Sequence, residues 1–237
     1  METDRKRFGL SRAGSTPFAN GKPGMHKSRP LRKYPVEALP EDIRNIKKSM
    51  KYGAMSGLRM YSLIKAARYV HENGIPGDVV ICGVGLGGSA LLLARAFRNL
   101  GEPARPIWLY DTYAGSKRHA DDDYFASQEY VKMILAKWCP TYSPDAFNFV
   151  EGMVEDTIPG RMPAAISILH LDTDWHESTK HELTHLYPRL VRGGVVLIDD
   201  YGAWDGARIA TEEYFAETGQ PILLNVVDHT GRIGVKL

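Results

Sequence analysis

The chain has 237 residues, of which 43% are hydrophobic and 24% charged, a composition typical of a globular protein with one sizeable core. Its apolar runs are shorter than the roughly 20 residues that span a bilayer, and the N-terminus lacks the apolar stretch of a secretory signal. We therefore expect no membrane association. The two cysteines imply no disulfide framework, so the cytoplasm is the expected location.

The formal net charge of +2 is unevenly distributed along the chain. Residues 1–33 hold nine of the 30 Lys and Arg residues but only two of the 28 acidic residues. The remainder is therefore acidic, which argues against a nucleic-acid enzyme. Residues 1–36 are also rich in Gly, Pro and Ser and show no apolar period. We predict a basic flexible arm over 1–36 and a single domain over 37–237.

The first regular pattern is helical and covers "PEDIRNIKKSM" and "SGLRMYSLIKAARYVHENG". Residues 37–73 are thus predicted to form a helical cap on the domain. A strand over "IPGDVVICGVG", a helix over "GGSALLLARAFRNLG" and a strand over "RPIWLYD" follow. A polar stretch then leads into a helix over "FASQEYVKMILAKW", and we interpret residues 114–143 as a lid.

The second half of the chain continues the alternation of strands and helices. "FNFVEGM" and "AAISILHLD" predict strands, "ESTKHELTHLYPRLVRGG" a helix that stops at its two glycines, "VVLIDD" a strand and "GARIATEEYFAETG" a helix. "ILLNVVD" and "GRIGVKL" predict an antiparallel pair. Because "VVLI" and "ISIL" are apolar on both faces, we expect a Rossmann-like α/β sandwich, with a mainly parallel sheet between two layers of helices.

A glycine-rich loop, "CGVGLGGS", joins the first strand to the following helix. Its Gly83, Gly85 and Gly88 would let the backbone turn sharply and approach a ligand, and Ser89 ends the motif. Asp111 ends the next strand, where a carboxylate can accept the hydroxyls of a ribose. The loop therefore predicts an adenosine-type cofactor, NAD or S-adenosylmethionine, with a bare structural turn as the alternative. The later sequence has no pattern that resembles a nicotinamide site.

Two later strands end in paired acids, Asp172 with Asp174 and Asp199 with Asp200. Strands joined by one helix are usually neighbours, so the four carboxylates are expected at one edge of the sheet. Like charges so close are unfavourable unless protons or a cation neutralise them, and oxygen ligands favour Mg²⁺ first, then Mn²⁺ or Ca²⁺. The alternative is that each acid caps the following helix, for which Asp174 is the best candidate.

Taken together, these motifs resemble the macrocin O-methyltransferase family from about residue 54 to about residue 215. The most specific portion is "LHLDTDWHESTKHELTHLYPRLVRGGVVLIDDYGAW", and "YDTYAG" and "EDTIPG" also match in order. The resemblance implies the class I methyltransferase fold. It also implies S-adenosylmethionine- and Mg²⁺-dependent methylation of sugar hydroxyls on macrolide and aminocoumarin antibiotics.

The resemblance implies a role for individual residues. It places the metal ligands at Asp172, Asp199 and Asp200, a general base at Asp174, the ribose acid at Asp111, the cofactor loop at Gly83, Gly85 and Gly88, a cofactor neighbour at Met55, and adenine contacts at Glu155 and Asp156. His119 is a second candidate for the base, because the family's lid often carries a catalytic histidine. One departure is Ile81, which stands where the family usually has an acid.

The expected reaction is methyl transfer from the sulfonium of S-adenosylmethionine to one hydroxyl of a vicinal, sugar-like pair on a small-molecule acceptor. The basic arm and the resemblance favour a homo-oligomer. Two alternatives stay open at this point. Ile81 favours a homologue that binds S-adenosylmethionine but has lost catalysis, and "DTD" after an apolar strand resembles the metal-binding motif of a glycosyltransferase.

The histidines outside the lid have simpler interpretations. His170 lies in an apolar strand and is expected to be buried with its hydrogen bonds satisfied. His176, His181 and His185 share one predicted helix, and we interpret them as a solvated polar face and not as metal ligands.

Overall fold

A computed structural model describes residues 34–115 and 125–237, and its strands form one sheet. The strands are β1 Asp78–Cys82, β2 Ile107–Asp111, β3 Phe147–Glu151, β4 Ile166–Leu171, β5 Leu190–Ile198, β6 Asn225–Val226 and β7 Arg232–Val235. Their order in the sheet is β3-β2-β1-β4-β5-β7-β6. Strands β1 to β5 pair in parallel, whereas β7 pairs antiparallel with β5 and with β6.

Local caps mark some of the helix ends. The helices are α1 Pro40–Ser49, α2 Gly57–Glu72, α3 Gly88–Asn99, α4 Gln128–Trp138, α5 Val154–Thr157, α6 His176–Leu186 and α7 Asp205–Thr218. Ser56 caps α2 by accepting a hydrogen bond from the Arg59 amide at 3.1 Å. Gly219, with a φ of 62°, ends α7 in the left-handed conformation. The single turn α5 was not predicted.

The helices cover both faces of the sheet, which confirms the predicted fold class. Helices α1 to α4 pack on one face with strand residues such as Val79 and Ile81, and α5 to α7 pack on the other with Val80 and Cys82. All four of these strand residues are buried, because a parallel strand between two helical layers has no solvated face. The acids that follow β4 and β5 therefore emerge at the same edge of the sheet.

The predicted end of the sixth helix is wrong. Helix α6 ends at Leu186, a short 3-10 turn covers Tyr187–Arg189, and β5 already begins at Leu190. Pro188 accounts for the early end, since proline has no amide hydrogen and its ring disfavours a continuing helix. The two glycines lie inside β5, where the pairing with β4 shifts register between Ile166 and Ile168.

The predicted C-terminal pair is present but short, since β6 contains only Asn225–Val226. Among the residues that the structure describes, no helix has the length and apolar character needed to cross a membrane. The division into an arm over 1–36 and a single domain over 37–237, and the lid over 114–143, stay predictions.

Candidate active site

The glycine loop and the loop that follows β4 are in direct contact. Gly83 has a φ of 86°, and a β-carbon at this position would collide with the carbonyl oxygen of Asp172. Only glycine adopts this conformation and this approach without strain. Gly83 also donates its amide hydrogen to the carbonyl oxygen of Tyr110 at 2.9 Å. The end of β1 is thereby fixed between β2 and the acidic loop.

Asp111, at the end of β2, holds the glycine loop through its carboxylate. Its Oδ2 accepts hydrogen bonds from the amides of Val84 at 2.7 Å and Gly85 at 2.9 Å, and its Oδ1 accepts one from Tyr113 at 2.9 Å. A carboxylate offers about four acceptor positions, so a further donor can still be bound. The acid predicted to bind a ribose is thus also the residue that shapes the loop.

The remaining residues predicted near the cofactor lie at the start of α3, just before α2, or on α5. Gly88 packs against the carbonyl oxygens of Tyr52 and Ser49, which leaves no room for a side chain. Ser89 and Met55 are buried. On α5, Asp156 is exposed, whereas Oε1 of Glu155 accepts a hydrogen bond from the hydroxyl of Ser178 on α6 at 2.7 Å.

Glu155 and Asp156 therefore differ in their surroundings. The structure ties Glu155 to α6 and leaves Asp156 at the surface.

His119 lies outside the residues that the structure describes. Ile81 is fully buried within β1, in the core shared with α2 and α3, so no charged group occupies the position where an acid was expected.

The acids at the ends of β4 and β5 converge, as adjacent parallel strands require. Carboxylate oxygens of Asp172, Asp174 and Asp200 lie within 4.8 Å of one another, and so do ligand atoms of His170, Asp172 and Asp199. Desolvation raises the pKa of Asp172 well above its ordinary value, and repulsion from Asp199, Asp200 and Asp174 raises it further. The cluster therefore favours either a proton or a cation.

A backbone turn places Asp174 in this cluster. An extended strand would point Asp172 and Asp174 in the same direction, but the strand does not continue that far. Strand β4 ends at Leu171, and Asp174 has a φ of 67°. The Trp175 amide donates to the carbonyl oxygen of Thr173 at 2.8 Å, which closes a γ-turn centred on Asp174. A tight turn, and not strand alternation, brings the carboxylate to its neighbours.

Asp174 does not occupy the N-cap of the following helix. Trp175 is the N-cap residue of α6, and its side chain makes no capping hydrogen bond. Asp174 therefore stands one residue before the N-cap, whereas a capping side chain normally belongs to the N-cap residue itself.

Sequence reasoning missed one arginine at the acidic cluster. Arg59, on α2, donates a hydrogen bond from Nη1 to Oδ2 of Asp199 and lies 3.8 Å from Oδ1 of Asp200. Its Nε forms an ion pair with Asp228 at 3.3 Å. Arg59 and Asp199 are 140 residues apart in sequence, so no local pattern could have joined them. The arginine neutralises part of the charge of Asp199 and Asp200.

Asp228 anchors this arginine from the turn between β6 and β7. It accepts hydrogen bonds from the Ser56 hydroxyl at 2.5 Å and from the amides of Thr230 and Gly231 at 3.0 Å and 2.8 Å. Burial acts to raise the pKa of Asp228, but these hydrogen bonds and Arg59 outweigh it and hold the pKa at about 2. Asp228 is therefore ionised at neutral pH and can orient Arg59.

The expectation of a satisfied His170 was wrong in one respect. The ring is fully buried, but neither of its nitrogens has a hydrogen-bond partner among the described residues. Its Nε2 lies 3.8 Å from Oδ1 of Asp199, beyond hydrogen-bond distance. His170 thus lies directly beneath the acidic cluster.

The three histidines of α6 contact different groups. His176 contacts Glu213 at 2.9 Å, whereas His181 contacts the carbonyl oxygen of Ile158 at 2.9 Å and its ring lies 4.4 Å from that of His185. The interpretation of these histidines as a polar face without a metal stays a prediction.

Comparison with known proteins gives a consistent result. A profile of the family described as macrocin-O-methyltransferase (TylF) matches residues 46–233. The chain is 33% identical over 192 residues to the 8-demethyl-8-(2,3-dimethoxy-alpha-L-rhamnosyl)-tetracenomycin-C 4'-O-methyltransferase of Streptomyces olivaceus, covering 75% of this chain and 73% of that protein. It is 27% identical to the demethyldecarbamoylnovobiocin O-methyltransferase of Streptomyces niveus, covering 81% and 79%. The structure of the O-methyltransferase NovP superposes with a TM-score of 0.73 at 25% identity, covering 78% and 82%.

Proposed function

This chain belongs to the macrocin-O-methyltransferase family, and we propose that it methylates a hydroxyl of a glycosylated natural product with S-adenosylmethionine and a divalent cation. The observation that carries the proposal is the convergence of Asp172, Asp174 and Asp200 beside the glycine loop that Asp111 holds. The acids lie next to the expected position of the cofactor, since Gly83 contacts the backbone of Asp172.

The donor set fits a hard divalent cation. Asp172, Asp199 and Asp200 would hold it, since ligand atoms of Asp172 lie within 4.8 Å of a carboxylate oxygen of Asp199 in one group and of Asp200 in the other. Carboxylate oxygens are the ligands that Mg²⁺ and Mn²⁺ prefer. Arg59 offsets part of the negative charge of Asp199 and Asp200, and the excess that remains over the four acids supports a bound cation. When bound there, a divalent cation would acidify a coordinated hydroxyl and stabilise the developing alkoxide.

The cofactor would be held by the glycine loop. Asp111 would accept a ribose hydroxyl with its remaining acceptor capacity while it keeps the amides of Val84 and Gly85 in place. The loop backbone around Gly83 and Gly85 allows a close approach of the cofactor. This arrangement would direct the methyl group toward the acidic cluster.

The chemical step would be an in-line displacement. A bond forms between the acceptor oxygen and the methyl carbon while the bond between carbon and sulfur breaks, and S-adenosylhomocysteine leaves. Positioning supplies much of the rate in such a reaction. The proton of the hydroxyl would pass to Asp174, which the γ-turn holds among the other carboxylates. His119 is the alternative acceptor of this proton.

The names of the relatives guide the choice of acceptor. The name of one relative gives the 4' position of a 2,3-dimethoxy-rhamnosyl group on a tetracenomycin, and that of another gives demethyldecarbamoylnovobiocin, so we propose a hydroxyl of a sugar-like group as the acceptor. That this hydroxyl belongs to a vicinal pair is a proposal that rests on the chelation chemistry and not on these names. The competing function is a homologue that binds S-adenosylmethionine without methylating, and it is favoured by the buried Ile81 in the position of an acid.

The proposal is tested with purified protein, S-adenosylmethionine and a rhamnosylated tetracenomycin acceptor. We expect methyl transfer that EDTA abolishes and Mg²⁺ restores. Full activity in EDTA would remove the cation from the mechanism. Calorimetric binding of S-adenosylmethionine, with no turnover on rhamnosylated or catechol-type diols, would instead support the non-catalytic homologue.

A further inference from the structure

Helix α6 buries a carboxyl group beneath the acidic loop. Glu182 is fully buried, and its Oε1 accepts a hydrogen bond from the hydroxyl of Thr173 at 3.0 Å. Its Oε2 has no hydrogen-bond partner among the described residues. The other buried residues of the C-terminal half of α6, Leu183 and Leu186, are apolar and pack in the core. A leucine or methionine at position 182 would suit this environment better than an acid.

Thr173, the hydrogen-bond partner of Glu182, is part of the γ-turn. Thr173 lies between Asp172 and Asp174, and its carbonyl oxygen closes the γ-turn by accepting from the Trp175 amide. A positive φ at a residue other than glycine is strained and persists only where the surroundings fix it. The hydrogen bond from the Thr173 side chain to Glu182 is a contact that fixes this turn against α6.

Glu182 is also a neighbour of the cofactor loop. The thiol of Cys82, the last residue of β1, interacts with the Glu182 carboxyl, and Gly83 follows Cys82 directly. Burial raises the pKa of Glu182 to about 8, so the side chain is mostly protonated at neutral pH. A neutral carboxyl can accept from Thr173 with one oxygen and carry a proton on the other.

Burying an acid whose second oxygen has at most a weak thiol partner opposes folding, because the group loses its water without full replacement. Proteins retain an unfavourable buried group of this kind mainly at functional sites. We propose that Glu182 is a positioning residue: through Thr173 it holds the turn that aims Asp172 and Asp174 into the active site. This inference rests on the proposed function for its effect on catalysis, but the effect on the turn is independent of it.

Four variants test the proposal, namely Glu182→Met, Glu182→Gln, Thr173→Val and the double variant Glu182→Met with Thr173→Val. Glu182→Met keeps the size and removes the polar oxygens, whereas Glu182→Gln keeps an acceptor. Glu217→Met is the matched control, since Glu217 lies exposed on α7. Each protein is measured for turnover on the rhamnosylated acceptor, for Mn²⁺ affinity, for thermal midpoint and for hydrogen exchange of the Trp175 amide.

We expect Glu182→Met and Thr173→Val each to lower kcat and Mn²⁺ affinity by about 10- to 100-fold, the usual effect of losing a group that orients a ligand. The KM for S-adenosylmethionine should change little, and the double variant should be no worse than the single ones, because both remove one interaction. Glu182→Gln should retain most of the activity. Hydrogen exchange of the Trp175 amide should be faster in Glu182→Met than in the wild type. The thermal midpoint of Glu182→Met should be equal to that of the wild type or higher.

Three results would overturn the proposal. One is a Glu182→Met variant with wild-type kcat and wild-type exchange at Trp175. Another is a loss of kcat that parallels a lower thermal midpoint and that Glu182→Gln does not rescue, which would mark Glu182 as a packing residue. The third is additive losses in the double variant. If the wild-type chain does not methylate, the proposed function fails, while the exchange of Trp175 still decides whether Glu182 holds the turn.

Discussion

At the scale of single residues, Asp174 combines a strained backbone with a carboxylate in the acidic cluster. Its φ of 67° restricts the substitutions that leave the turn intact. Asparagine tolerates the left-handed conformation better than other residues, and it matches aspartate in size. Asp174→Asn is therefore a clean test of basicity, whereas Asp174→Ala would change both the turn and the chemistry.

We expect Asp174→Asn to lower kcat by roughly 10²- to 10⁴-fold, the usual range for losing a general base, with S-adenosylmethionine affinity within a few-fold of the wild type. Steady-state kinetics and calorimetry measure the two effects. Full activity of Asp174→Asn together with an inactive His119→Ala would assign the proton transfer to His119.

Asp200 offers the clearest test of the cation site. Asp199 is hydrogen-bonded to Arg59, so Asp199→Asn would disturb an ion pair as well as a ligand. We expect Asp200→Asn to weaken Mg²⁺ affinity at least tenfold, the scale typical of altered metal sites, while S-adenosylmethionine binds nearly as before. Titration calorimetry measures both. An unchanged Mg²⁺ affinity would contradict the assignment of Asp200 as a ligand.

Asp111 has two roles that one substitution changes together. Asp111→Ala removes the acceptor of the Val84, Gly85 and Tyr113 amides as well as that of the ribose. We expect a loss of S-adenosylmethionine binding free energy on the order of 2–3 kcal/mol and a lower thermal midpoint. Asp111→Asn, which keeps one carbonyl oxygen, should lose less of both. Micromolar binding of NAD, with none of S-adenosylmethionine, would refute the cofactor assignment.

At the scale of elements, α6 supplies a titrating group to the core. Because burial raises the pKa of Glu182 to about 8 from an ordinary 4.5, the folded chain keeps this proton over a range in which the unfolded chain releases it. Retention of this proton contributes favourably to the free energy of unfolding. The contribution is complete below pH 4.5 and is lost as the pH rises through about 8. Stability should therefore fall over this interval.

We expect Glu182→Gln to remove this decline, so that its stability relative to the wild type improves between pH 5 and pH 8 by on the order of a few kcal/mol. Chemical denaturation at both pH values, in EDTA, gives the comparison. Glu217→Gln, at the surface of α7, should follow the wild-type curve. Parallel curves for Glu182→Gln and the wild type would contradict the raised pKa.

The boundaries of elements were predictable where a local signal marks them. Ser56 before α2 and Gly219 after α7 acted as the caps that their residue types suggest. The two glycines after α6 did not, because the same residue type serves both as a helix stop and as a bulge in a strand. Pro188 was the signal that distinguishes these two uses, since a helix rarely continues through proline.

At the scale of the whole molecule, the sheet brings α2, the β6–β7 turn and the ends of β4 and β5 to one site. Arg59, Asp228 and Asp199 meet there, although they belong to distant parts of the sequence. Three expectations about partners stay predictions: a homo-oligomer, suggested by the basic arm, a small-molecule acceptor, and no nucleic-acid partner. Light scattering of the purified chain measures the first of these directly.

The sequence by itself determined the order and type of most elements, the parallel character of the sheet and the position of the acids at strand ends. These features follow from short apolar runs in the strands, from a period of 3.6 residues in the helices and from glycine and proline signals, all of which act over a few positions. The family resemblance, confirmed by the match over residues 46–233, followed from motifs of the same local kind.

Only the tertiary structure decided which side chains meet. The ion pair of Arg59 with Asp199, the hydrogen bond of Glu182 with Thr173 and the γ-turn at Asp174 depend on how α2 and α6 pack against the sheet. The pKa values of Asp172 and Glu182 depend on burial, which is a property of the packed core and not of any segment. Contacts between residues far apart in sequence have no local signature, because the packing of distant segments creates them.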